Sequence, residues 1–130
     1  MRLMVVLLPV FLCLLAFFDS VEAATFEVVG YIKCSHYPAP GVVKLMERDA
    51  ISDDELDASP IELHKGYYRV TGSQYEIFGS TEPYVKVEPN CTAIKLFYGD
   101  TIAEKCQPKE RDISNDGVQN KVDLDVCIDD

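Results

Sequence analysis

Seven or eight short segments of alternating apolar and polar residues, cut by proline- and glycine-rich turns, predict an all-β sandwich of two antiparallel sheets with Greek-key connections. No stretch shows the 3.6-residue spacing of an amphipathic helix strongly enough to compete with that pattern. The chain contains no tryptophan, which sets it apart from the ordinary immunoglobulin sandwich, where a buried tryptophan packs on the bridge.

The N-terminus reads as a leader. Arg2 precedes an apolar run from Leu3 to Phe18, broken only by Pro9, and Val21-Glu22-Ala23 supplies a cleavage-like site. A membrane anchor is the competing reading, but a span needs about 20 apolar residues, and this run is shorter and is followed at once by the cleavage-like site. The expectation is a signal peptide over 1–23 and one domain over 24–130, secreted and extracellular, with no membrane span after cleavage. The formal net charge is −10 at pH 7. Such a surface argues against nucleic acid and against anionic lipid headgroups, which it would repel.

The strands follow in order. Phe26 to Cys34 places Phe26, Val28, Gly30, Ile32 and Cys34 on one face, and Gly30 signals a bulge or a close backbone approach. Pro38-Ala39-Pro40-Gly41 forces a turn. In the second strand, Val42 to Arg48, Val43 and Leu45 oppose Lys44 and Met46. Asp49 to Pro60 reads as an acidic loop; it lacks the glycine and ligand spacing of an EF-hand calcium site, so a solvated loop accounts for it better. Ile61 to His64, Lys65-Gly66 and Tyr67 to Thr71 read as a hairpin with Tyr68 and Val70 sharing a face. Tyr84 to Glu88 alternates Val85 and Val87 against Tyr84, Lys86 and Glu88. Ala93 to Tyr98 and Thr101 to Cys106 are read as strands, Asn115-Asp116-Gly117 as a tight turn, and Lys121 to Ile128 as a closing strand with Val122, Leu124, Val126 and Ile128 inward and Cys127 outward.

Four segments carry a family resemblance. Gly30-Tyr31-Ile32-Lys33-Cys34 with Pro38-Ala39, Val43-Lys44-Leu45-Met46-Glu47-Arg48-Asp49, Gly66-Tyr67-Tyr68-Arg69-Val70-Thr71-Gly72, and Pro83-Tyr84-Val85-Lys86-Val87 with Asn90-Cys91 resemble, in the right order, the nematode transthyretin-like family. Beyond Cys91 the resemblance fades: Cys106-Gln107-Pro108 stands where the family usually shows a Cys-x-Arg segment, which marks a divergent member. The resemblance implies a secreted, transthyretin-like sandwich. The related hydroxyisourate hydrolases end in a Tyr-Arg-Gly-Ser tail and use His and Arg residues. This chain ends Cys127-Ile128-Asp129-Asp130 and holds only His36 and His64.

Cys34, Cys91, Cys106 and Cys127 remain after loss of Cys13 with the leader, and an even number in an exported chain implies two disulfides. No pair has the C-x2-4-C spacing of a zinc site. In the fold that the resemblance implies, the first and fifth strands end together in opposite sheets. Face parity then pairs Cys34 with Cys91 as an inter-sheet staple and leaves Cys106 for Cys127.

Candidate sites are few. Asn90-Cys91-Thr92 satisfies the glycosylation rule, although a bridge at Cys91 could hide the asparagine. Tyr31, Tyr67 and Tyr84 have outward parity and are candidate partner contacts; cross-strand pairing accounts for them equally well. No nucleophile elbow, phosphate loop, metal set or cofactor motif is present, so no catalytic, metal or cofactor residue is assigned. The expected function is therefore a secreted binding protein, not an enzyme, whose partner is an extracellular protein or a small apolar or lipid ligand. The alternatives are an effector or inhibitor acting on a host protein and, less favoured, a secreted hydrolase.

Overall fold

The computed structural model describes residues 25–48, 51–73, 82–113 and 119–129; the segments expected to be a leader, a cleavage site and the Asn115-Asp116-Gly117 turn lie outside them. Nine strands and two helices follow one another as β1 (Thr25–Cys34), β2 (Tyr37–Pro38), β3 (Gly41–Arg48), β4 (Asp54–Pro60), β5 (Tyr67–Ser73), β6 (Glu82–Pro89), α1 (Cys91–Tyr98), α2 (Asp100–Ala103), β7 (Lys109–Asp112), β8 (Gln119–Lys121) and β9 (Leu124–Asp125) among these residues. One sheet has the order β4-β3-β6-β7. The other runs β2-β1-β5 and takes β8 and β9 onto β1. Both are antiparallel except at β8 and β9, which lie parallel to β1.

The alternating residues supply the core between the sheets. Phe26, Val28 and Ile32 of β1, Val43 and Leu45 of β3, Tyr68 and Val70 of β5, and Val85 and Val87 of β6 are all almost completely buried. Fully burying an aliphatic side chain of this size stabilises by about 1.5–3 kcal/mol, so this face is the main source of cohesion. Asp57 of β4 joins the two sheets at one edge, its Oδ2 accepting the Thr71 N–H of β5 at 2.8 Å.

Gly30 shows the close approach that its position in β1 signals. A Cβ there would stand 2.0 Å from the Val122 carbonyl oxygen. The gap left by the missing side chain lets the C-terminal segment run against β1. Tyr68, the cross-strand partner of Gly30, donates its hydroxyl to that same carbonyl at 2.7 Å, and burial pushes this phenol well above its ordinary range.

Several segments differ from the sequence expectation. The acidic stretch is only in part a loop, because 54–60 forms edge strand β4 against β3. Three of its carboxylates are engaged, with Glu55 against Lys44 at 3.3 Å, Asp53 bonded to the Tyr84 hydroxyl and Asp57 accepting from Thr71 N–H. Ile61 to His64 is not a strand. Residues 63–65 are a turn, closed by Gly66 N–H donating to Glu62 C=O at 2.8 Å, with Gly66 at φ 75°.

Ala93 to Tyr98 belongs to helix α1, and Thr101 to α2. Asn90 caps α1 through its side-chain oxygen, and Gly99 ends it at φ 98°. Ile94, the buried residue of this helix, and Tyr98 are four apart, a pair that fits one helix face as well as one strand face. Over eight residues the two periods overlap, and the caps carried the deciding signal. Polar 109–112 is strand β7, on the edge of the β3–β6 sheet.

The disulfide pairing also differs: the bridges are Cys34–Cys127 and Cys91–Cys106. Parity failed because neither cysteine continues its strand. β6 stops at Pro89, so Cys91 sits on a helix, and β9 stops at Asp125, so the turn at 126–127 swings Cys127 inward to 3% exposure. Cys34–Cys127 therefore ties the end of β1 to the parallel segment beside it. It does not staple the two sheets. Val122, Leu124 and Val126 are buried as their spacing implies, while Ile128 is 38% exposed.

Candidate functional site

One end of the sandwich combines a strained turn with exposed aromatic rings. Between β1 and β2 the chain reverses through Ser35 and His36, which adopt φ of 50° and 75° without being glycine. Backbone of this kind costs about 1–3 kcal/mol per residue and persists only where its surroundings over-determine it. Here the clamp is Asp125. Its Oδ1 accepts the N–H of Ser35 and of Cys127, each at 2.9 Å, and its Oδ2 accepts that of His36 at 3.0 Å. Burial works to raise the pKa of this carboxyl, but the N–H bonds from Cys127, Ser35 and His36 outweigh it and hold the group below the usual carboxylate range. The Cys34–Cys127 bridge closes the same corner.

The clamped turn presents Tyr37, which is 49% exposed. Its ring stacks on Tyr98 of α1, with centroids 5.0 Å apart and planes at 23°. Tyr98 is anchored in turn, donating its hydroxyl to the Pro38 carbonyl at 2.7 Å. Phe97, 61% exposed, meets Tyr98 edge-on at 6.2 Å. One disulfide and four hydrogen bonds thus hold a cluster of rings whose apolar faces meet solvent. Rigid aromatic side chains lose little conformational entropy on contact and form the usual anchors of binding surfaces.

The tyrosines singled out by parity do not converge. Tyr31 and Tyr67 are cross-strand partners on the outer face of the β1 sheet, packed edge to face at 5.6 Å, with Tyr31 39% exposed. Tyr84 lies in the other sheet and is buried at 2% exposure, so it is no contact residue. Its parity is outward, as alternation requires, but the Arg48 guanidinium lies 4.2 Å from its ring centroid and Asp53 takes its hydroxyl. Burial and that bond push its pKa up to about 12. Tyr68 and Tyr84 are thus held neutral, which suits packing and not nucleophilic chemistry.

His36 lies in the clamped turn and His64 in the exposed turn before β5. Among the described residues no three metal-ligating side chains cluster, and no helix is long and apolar enough to cross a membrane. The aromatic cluster escaped the sequence reading because it joins residues 37 and 97–98, which only the fold brings together. Phe97 and Tyr98 read as strand residues conceal an exposed ring.

Comparison with known proteins places this architecture. The model of the family described as TTR-52, transthyretin-like family, matches residues 29–112, from β1 through β7. The chain belongs to the transthyretin-like family. The match ends with β7, so the clamp at Asp125 and Cys127 lies outside the matched span. Among solved structures, the chain is similar to a 9R-lipoxygenase from Cyanothece PCC8801, with a TM-score of 0.49 and 11% identity over 82% of this chain. It spans only 17% of that enzyme's chain. No curated protein matches.

Proposed function

We propose that this transthyretin-like protein is exported by cleavage after Ala23 and acts outside the cell by binding a protein partner through the Tyr37–Phe97–Tyr98 end of the sandwich. The observation that carries the reading is the rigid, solvent-facing aromatic cluster, held by a turn whose strain is offset by Asp125 and a disulfide. Two disulfides suit an oxidising compartment, and the leader pattern points to the same place. Between the sheets, buried side chains of the chain itself pack into one core cluster among the described residues, which favours the outer surface over the core as the contact. An extracellular partner on a host cell, as for an effector or inhibitor, fits the same surface, and a small apolar or lipid ligand is the other outcome to be read.

The test is capture from extracellular fluid and from cell surfaces with the protein lacking residues 1–23, with proteins and lipids both identified by mass spectrometry. A partner retained by the wild type and lost at least tenfold with Tyr37→Ala plus Phe97→Ala supports the reading. Equal capture by that variant places binding elsewhere. Turnover of hydroxyisourate or ester substrates by the purified chain overturns the binding reading in favour of hydrolysis.

A further inference from the structure

We propose that Asn90 carries an N-linked glycan, and that the order in which the disulfides can form leaves it open to modification. The proposal rests on the secretory reading above. Of the three asparagines, Asn90, Asn115 and Asn120, only Asn90 is followed by the required threonine, as Asn90-Cys91-Thr92.

The sequon lies at the junction between β6 and α1, and Asn90 and Thr92 are both exposed. The Asn90 side-chain oxygen accepts the Ala93 N–H at 3.0 Å, the Asn90 N–H donates to Pro40 C=O at 2.8 Å, and its own carbonyl accepts from Ile94 N–H at 3.0 Å. These bonds use the backbone and the oxygen arm of the amide. Nδ2 is the other arm, so a sugar attached there leaves the helix cap in place.

The obstacle to such a sequon is its central cysteine, because a bridge formed early would bury or pin the acceptor. Had Cys91 paired with Cys34, its partner would already be in the lumen when Asn90 arrived. The structure pairs Cys91 with Cys106, 15 residues further on, and Cys34 with Cys127, the last cysteine of the chain. In a chain entering N-terminus first, neither native bridge can exist when Asn90 emerges. The acceptor is then an open segment with a free thiol beside it. In the transfer, Asn90 Nδ2 loses a proton and forms a bond to C1 of the first sugar of a lipid-diphosphate-linked oligosaccharide, the C1–O bond breaks, and the lipid diphosphate leaves.

The test uses the full chain expressed in a eukaryotic cell, with medium and cell fractions read separately by intact mass before and after peptide N-glycosidase. The expected result is one removable glycan, with conversion of residue 90 to aspartate on removal. Thr92→Ala should abolish it and Thr92→Ser preserve it, while both leave the Asn90 cap untouched. Chain in the medium without a glycan overturns the proposal while the secretory reading stands. Chain confined to the cell and unglycosylated overturns both.

Discussion

The two disulfides close regions built on different principles. Cys34–Cys127 spans 93 positions and fastens the last turn of the chain to the end of β1, beside a clamp of three backbone hydrogen bonds and a glycine-dependent backbone contact. Cys91–Cys106 spans 15 positions and closes only the excursion of α1 and α2 between two strands of one sheet. Both sulfurs of the first bridge are buried, whereas Cys91 and Cys106 are half-buried at the edge of the core. The contrast teaches that a long-range bridge serves where a short parallel strand pair has little ladder of its own. β8 and β9 contribute only three and two residues to β1. The local bridge serves where helices too short to be stable alone need a fixed return point.

The comparison breaks most sharply at the long bridge. Replacing Cys34 and Cys127 together with alanine should lower unfolding stability by about 4–5 kcal/mol, the loss for a loop of that order in the chain-entropy account, and should free the C-terminal strands. Urea denaturation and hydrogen exchange at Val122 and Val126 would read both effects. Replacing Cys91 and Cys106 should cost about 3 kcal/mol, with exchange rising over α1 and little changed in β1. If the two pairs lose equal stability and exchange rises in the same places, the division between a global and a local bridge is wrong.

Smaller changes sharpen the same contrast within the C-terminal corner. Asp125→Asn keeps the shape but weakens charge-assisted acceptance from three N–H groups, for an expected loss of about 1–2 kcal/mol near neutral pH. The folded carboxyl titrates below its ordinary value. Its contribution is therefore complete above about pH 4, the unfolded value, and is lost as pH falls through the folded value. Wild-type stability measured from pH 6 to pH 2 should decline more steeply than that of Asp125→Asn, and parallel curves would remove Asp125 as the clamp. Tyr68→Phe leaves the Val122 carbonyl without its hydroxyl donor and should cost about 1 kcal/mol, detected as a fall in urea midpoint with an unchanged slope.

The alternation expected in β1, β3 and β6 was used by the fold as read, whereas the equally clean pattern of Lys121 to Ile128 breaks after Asp125. Phe26, Val28, Ile32, Val43, Leu45, Val85 and Val87 all face the core, because burying one face of a pleated strand is a local instruction that period two states directly. Gly30, a glycine inside a strand, was legible as a bulge or a close approach; that it is the latter, and that Val122 is what approaches, was not. The segment after Pro89 was misread because Asn90 and Gly99 act as caps, and a cap outranks alternation in a stretch of eight residues. Arg48 stacked on Tyr84 shows the limit of parity from the other side: outward direction holds, yet a neighbouring strand's side chain still buries the ring.

By itself the sequence determined the sandwich, its core face, the family to which residues 29–112 belong, and the presence of four bridge-forming cysteines. Only the tertiary structure decided which cysteines meet, that the C-terminal strands run parallel to β1, and that Tyr37 stacks on Tyr98. The long bridge, the parallel strands and the ring stack depend on contacts between residues 60 to 93 positions apart, and even the local bridge joins residues 15 apart, where strand ends, helices and turns aim side chains in directions that no local period encodes.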